Sequence, residues 1–200
     1  MRPPQTDERY TKNLGERDAK VALILRENYS DLLKVWAFYS ALYEKDLRTV
    51  EVLNAASRQS FGLIQCELRN SLIVRIFNFD DTNKEVASLR TVKKMGLCTD
   101  AIKQLIEQAA SAVEPIRIWR NNFTAHVNTA HAIQERVPLN IKLDGDAFQA
   151  AIDSIGRVVK AVHFECCKIE LIFQSSNDKF ATELIGVLQM GLAGLQKEQE

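Results

Sequence analysis

A chain of 200 residues, 46% hydrophobic and 26% charged, is large enough to bury a substantial core and has the composition of a globular protein. With 26 basic and 26 acidic residues it carries no formal net charge, which excludes a strongly basic, non-specific nucleic-acid binder and leaves room only for a local basic site. Four prolines and eight glycines argue against a turn-rich, multi-strand fold.

The segment 1–17 is polar and is expected to be flexible or loosely docked, ahead of a single helical domain over 18–200. It has no apolar signal region, and no apolar run approaches the roughly 18 residues of a membrane span, so a cytoplasmic protein without membrane contact is expected. Helix one is read from about Asp18 to Tyr43, because Ala22, Leu25, Tyr29, Leu32, Trp36 and Tyr39 alternate three- and four-residue steps. Helix two runs from about Leu47 to Phe79, with Phe61, Ile64, Leu68, Leu72, Ile76 and Phe79 on its apolar face. Arg75 falls on that face too. A buried arginine is costly unless paired, so it serves either as a structural ion pair or cap, or as a phosphate contact.

Asp80-Asp81-Thr82-Asn83 breaks the pattern, and a short helix is expected near Ser88. Arg90, Lys93 and Lys94 form a basic cluster there, either a solvated face or an RNA-backbone contact. Helix three opens at Thr99 or Asp100, both competent N-caps, and runs to about Val127. Leu105, Ala109, Ala112, Ile116, Trp119 and Phe123 make its apolar stripe, and His126 is in phase with it. Arg117, Arg120, Asn121 and Thr124 line a separate polar face, and Pro115 should kink the helix one turn earlier.

From 128 to 145 the periodicity fails, which suggests a long loop of functional kind. Helix four is read from about Asp146 to Phe173 with Phe148, Ile152, Ile155, Val159, Val162 and Cys166 inward. Helix five ends near Gln196 with Phe180, Leu184, Val187 and Leu188 inward. The expectation is an all-α, up-and-down bundle of about five long helices and a short one. Cys66, Cys98, Cys166 and Cys167 lack metal-ligand spacing and read as reduced thiols. No glycine-rich phosphate loop or strand–helix alternation occurs, so no cofactor is expected.

The densest chemistry lies in Ile116–His131, IRIWRNNFTAHVNTAH. Its Arg120-Asn121-Asn122-Phe123-Thr124-Ala125-His126 resembles the Arg-x(4–6)-His signature of the HEPN superfamily. Leu72–Val92, LIVRIFNFDDTNKEVASLRTV, resembles the helix end, Asp-bearing turn and Ser-Leu helix start of that superfamily's abortive-infection U-like branch. The resemblance implies a HEPN-like bundle and metal-independent RNA cleavage at a composite site between two protomers. It also implies a toxin or phage-defence effector held in check by an antitoxin or released by a phage-derived trigger. Where nucleotidylated HEPN toxins carry a tyrosine two residues after the histidine, this chain has Asn128, which leaves a nucleotidyltransferase partner without support.

Geometry agrees with a composite site. In a straight helix Arg120 and His126 differ by about 9 Å of rise and about 120° of rotation, so convergence needs local unwinding or a second chain. Arg120 suits phosphate charge and His126 proton transfer, with Asn121, Asn122 and Thr124 supporting. Arg75, Arg117 and His131 are further substrate-contact candidates, and His163 reads as a bundle residue. No zinc site is expected, because His126 and His131 are five apart with no carboxylate at ligand spacing. The alternative is a non-catalytic helical interaction or ligand-binding module that regulates a partner, with Arg120 ion-paired and His126 closing a helix C-terminus.

Overall fold

Helices start where the sequence offers a short polar side chain to an unpaired backbone N–H. Asp46 accepts from the Thr49 N–H at 2.7 Å, Thr99 Oγ1 from the Ile102 N–H at 3.3 Å, and Asp144 from the Ala147 N–H at 3.2 Å. The computed structural model describes residues 4–81, 83, 86–123, 144–168, 170–173 and 177–197. Among these it contains six helices and no strand: α1 (Pro4–Tyr43), α2 (Leu47–Asp80), α3 (Leu89–Val92), α4 (Asp100–Phe123), α5 (Gly145–Cys167) and α6 (Asn177–Lys197). The expected all-α helical bundle is therefore found. No helix among the described residues is long and apolar enough to cross a membrane.

Two long helices are each interrupted once. Gly15 in α1 has φ 76°, ψ 166°, a left-handed conformation that glycine adopts without Cβ cost. Ser57 in α2 is extended, and its Oγ bonds Ser60 Oγ at 2.9 Å and faces the Ser60 N–H, restarting the helix as an N-cap does.

The chain divides into two compact units, Met1–Asp31 with Ile73–Phe173, and Leu32–Leu72 with Gln174–Glu200. In the first unit α4 packs against α5. Ile102, Ile106, Ala109, Val113 and Ile116 of α4 are buried, as are Phe148, Ile152, Ile155, Val159 and Val162 of α5. Each of the isoleucine, valine and phenylalanine side chains stabilises the fold by roughly 1.5–3 kcal/mol on burial, before the entropy of ordering it. The buried stripe of α4 is rotated by about 60° from the expected one, at 100° per residue. Two apolar stripes lie side by side on this helix; the β-branched one faces the core, and Leu105, Ala112 and Trp119 flank it half-buried.

Residues 4–14 are helical, and Tyr10 is 1% exposed. Its ring packs on His163 with centroids 5.3 Å apart. One turn on, Asn13 Nδ2 donates at 2.6 Å to the Cys166 carbonyl, one of the last in α5 that no helical N–H reaches. Helix α5 stops at Cys167, six residues before the expected end, because Lys168 turns left-handed (φ 55°) and returns its N–H to the Phe164 carbonyl at 2.7 Å.

The second unit has a smaller core of Leu42, Leu53 and Ala181, with Phe38, Phe61, Leu184, Ile185 and Leu188 against it. Tyr43 donates its hydroxyl to the Phe61 carbonyl at 3.0 Å. Phe180 and Val187 of α6, expected inward, are 59% and 61% exposed. Ala181 takes the inward position, since one helical step turns the face through about 100°.

Candidate functional site

Helix α4 brings its buried stripe up to a charged group. The buried positions step by four and three residues, 102, 106, 109, 113 and 116, and the next step of four is Arg120. Arg120 thus belongs to the core-facing side of α4, and not to a separate polar face as the sequence suggested. Its guanidinium carbon lies 3.7 Å from the centroid of the Phe77 ring on α2. An arginine stacked this way has the flat face of its guanidinium covered by the ring, an arrangement worth about 0.5–2 kcal/mol.

Arg117, also half-buried, is ion-paired with Glu114 one turn back. Asn121 is exposed. Asn122 lies in the last turn of α4, with its side chain outside the described residues. Thr124, His126 and His131, and with them the whole 128–143 stretch, lie outside the described residues as well. Pro115 sits within α4, which runs on through it.

Arg75 is half-buried. The buried positions of α2 here are Leu72, Ile73, Ile76 and Phe79, so Arg75 is on one flank of this face and Phe77 on the other. Arg75 is therefore turned away from the ring that Arg120 covers.

Beside the stack, α2 ends at Asp80, and the Asn83 N–H closes the turn onto Asp81 Oδ1 at 2.8 Å. Thr91 Oγ1 donates to the Val86 carbonyl at 2.8 Å and fixes α3, whose N-cap position is Ser88, as expected. Between these segments and α4 lies a cleft of about 450 Å³. Leu89, Ile106 and Ala110 form its apolar floor, while Arg90, Lys93 and Lys94 supply its cations. Lys93 also reaches Glu107 at 3.6 Å, a solvent-exposed pair worth little.

In the sequence Asp80 reads only as a helix stop. It lines the cleft, and burial pushes its carboxyl above the usual range, against the lowering pull of Arg90 and Arg117; Glu114 and Asp81 push it up further. A helix-end aspartate next to a basic cluster was the available signal.

No family model, no curated protein and no solved structure matches this chain.

Proposed function

We propose that the protein is a metal-independent endoribonuclease of the HEPN type, acting as a homodimer in which Arg120 and His126 of two protomers surround one phosphodiester. The observation that carries this reading is Arg120 itself, a guanidinium fixed by its ring stack on Phe77 at the end of α4. A held guanidinium can meet the charge that builds on phosphorus without reorganising, and one such donor is worth about 3–4 kcal/mol in the transition state.

The ribose 2′-hydroxyl attacks the adjacent phosphorus, its proton passing to a base, while the 5′-oxygen leaves and takes a proton from an acid. The products are a 2′,3′-cyclic phosphate and a free 5′-hydroxyl. His126 is the proposed proton carrier, since imidazole titrates near neutrality. One imidazole cannot hold both roles in one step, which is why the reading requires a second protomer or a water. Self-association is supported by Phe180, Val187 and Met190, which fall within about 80° of one another around α6 and are 59%, 61% and 70% exposed. The biological role proposed with this activity is that of a cytoplasmic toxin or abortive-infection effector, controlled by an antitoxin or a phage-derived trigger.

The test is incubation of purified protein with single-stranded and structured RNA in EDTA. Cleavage to cyclic-phosphate ends by the wild type, lost in His126→Ala and in Arg120→Ala, supports the reading. Equal cleavage by all three proteins removes both residues from it. One observation favours the alternative of a non-catalytic interaction module: the Arg120 stack on Phe77 also stabilises the first unit, so arginine has a structural use at this position. In that case no protein cleaves RNA and Arg120→Ala is merely less stable.

A further inference from the structure

The cleft beside Asp80 has the size and lining of a ligand site, and its charge is at odds with the rest of the chain. Its volume of about 450 Å³ lies within the roughly 300–1,000 Å³ of small-molecule sites. In a protein of zero net charge, three cations fall within five consecutive residues on one wall. The three are exposed, so their charges reach the cleft through water without cost of burial. The carboxyl on the lining, Asp80, is outnumbered by these three cations, and Glu107 at 3.6 Å offsets part of the Lys93 charge, so an incoming anion meets a wall that is basic on balance.

The floor decides what kind of anion fits. Leu89, Ile106 and Ala110 offer apolar surface to a sugar or base, which inorganic phosphate would leave uncovered. Ala110 is ten residues before Arg120 on α4, about 15 Å along the helix axis at about 1.5 Å per residue. A single phosphate cannot bridge that distance, whereas a strand of several nucleotides can, and a cationic track along the backbone is how single strands are held.

We propose that the cleft lined by Arg90, Lys93, Lys94 and Leu89 is a backbone-binding subsite for single-stranded RNA, set along α4 from Arg120. This rests on the ribonuclease reading for its choice of polymer, but the binding it describes stands apart from cleavage. Arg90 and Lys94 grip phosphates, the floor takes the ribose or base between them, and the strand continues toward Arg120.

The experiment is fluorescence anisotropy with a labelled 12-nucleotide RNA bearing 2′-O-methyl groups, which removes the attacking hydroxyl and separates binding from cleavage. The full-length wild type is compared with Arg90→Ala/Lys94→Ala over a salt series, with circular dichroism confirming the helical content of both. Two lost phosphate contacts should weaken binding by about tenfold or more and reduce the slope of log affinity against log salt by about 1.4, at about 0.7 per contact. A double variant that binds with the affinity and salt slope of the wild type overturns the subsite, as does a wild type that fails to bind. A labelled mononucleotide held as tightly as the 12-mer also overturns it in favour of a free-nucleotide site. If the wild type binds the modified strand through these residues but leaves unmodified RNA intact, the subsite stands and the nuclease reading falls. Cleavage with normal binding by the double variant gives the converse.

Discussion

The flat guanidinium of Arg120 rests on the ring of Phe77, 3.7 Å from its centroid, and this contact joins the last turn of α4 to α2. Phe77 is half-buried on the flank of its helix, so it can be changed without emptying the core. Phe77→Leu keeps apolar bulk and removes the π-face, which should cost about 0.5–2 kcal/mol of positioning, roughly 2- to 30-fold in cleavage rate. Arg120→Ala should cost more. A Phe77→Leu variant with undiminished kcat/KM on RNA would show that the stack does not position the arginine for the proposed chemistry.

Gly156 lies within α5, where alanine would ordinarily be the better helix former by about 1 kcal/mol. Here a Cβ would fall inside the phenol of Tyr29, which also packs edge-on against Phe173 at 4.8 Å. Gly156→Ala should therefore destabilise the protein by about 1–3 kcal/mol, the usual cost of overpacking. Urea unfolding reads the change. A variant as stable as the wild type would mean that Tyr29 moves aside freely. The same burial, with Asp153 nearby, pushes the Tyr29 phenol up to about 12, so ultraviolet titration should find it un-ionised at pH 10.

His163 is 6% exposed, its Nδ1 has no hydrogen-bond partner among the described residues, and burial lowers its pKa from the ordinary value near 6.5. The unfolded chain therefore takes up a proton at higher pH than the folded one. Its contribution to stability is intact above about pH 6.5, declines as pH falls below that value, and levels off under the folded pKa. Chemical denaturation between pH 7.5 and 5 should show this loss in the wild type. His163→Phe should flatten that part of the profile; an unchanged slope would assign the loss to other groups.

The four cysteines are free, but their surroundings differ. Cys66 is exposed, whereas Cys166 is buried, and burial followed by its contact with Cys167 pushes its thiol up to about 12. At pH 8 a thiol-reactive dye should label Cys66 rapidly and Cys166 only after denaturant is added. Fast labelling of Cys166 in native protein would show that α5 opens locally near its end.

Much of the fold was legible because helix caps and apolar periodicity act locally. Asp80-Asp81, Ser88 and Thr99 broke and restarted helices where the sequence placed them, and the inward residues of α5 were read correctly. What failed depended on neighbours. In α4 two apolar stripes were available, and only packing against α5 could choose between them, which also moved Arg120 from a polar face to a ring stack. Phe180 and Val187 looked inward because size was taken for burial, although small Ala181 fits the inward position. Tyr10 and Asn13 were missed because what holds them, His163 and the Cys166 carbonyl, lies some 150 residues away in the chain. For the site, Arg120 and Arg117 could be located and Arg75 set apart from them, while Asp80 could be recognised only with its cleft.

In the proposed dimer, arginine and histidine from different protomers complete one site. Arg120→Ala and His126→Ala proteins, each inactive alone, should be mixed under conditions that exchange subunits and assayed on RNA in EDTA. Mixed dimers contain one intact pairing of Arg120 with the other protomer's His126, with a water as the second proton-transfer group, so part of the wild-type activity should return. A mixture as inactive as its components, with exchange verified by native mass spectrometry, would contradict the composite site.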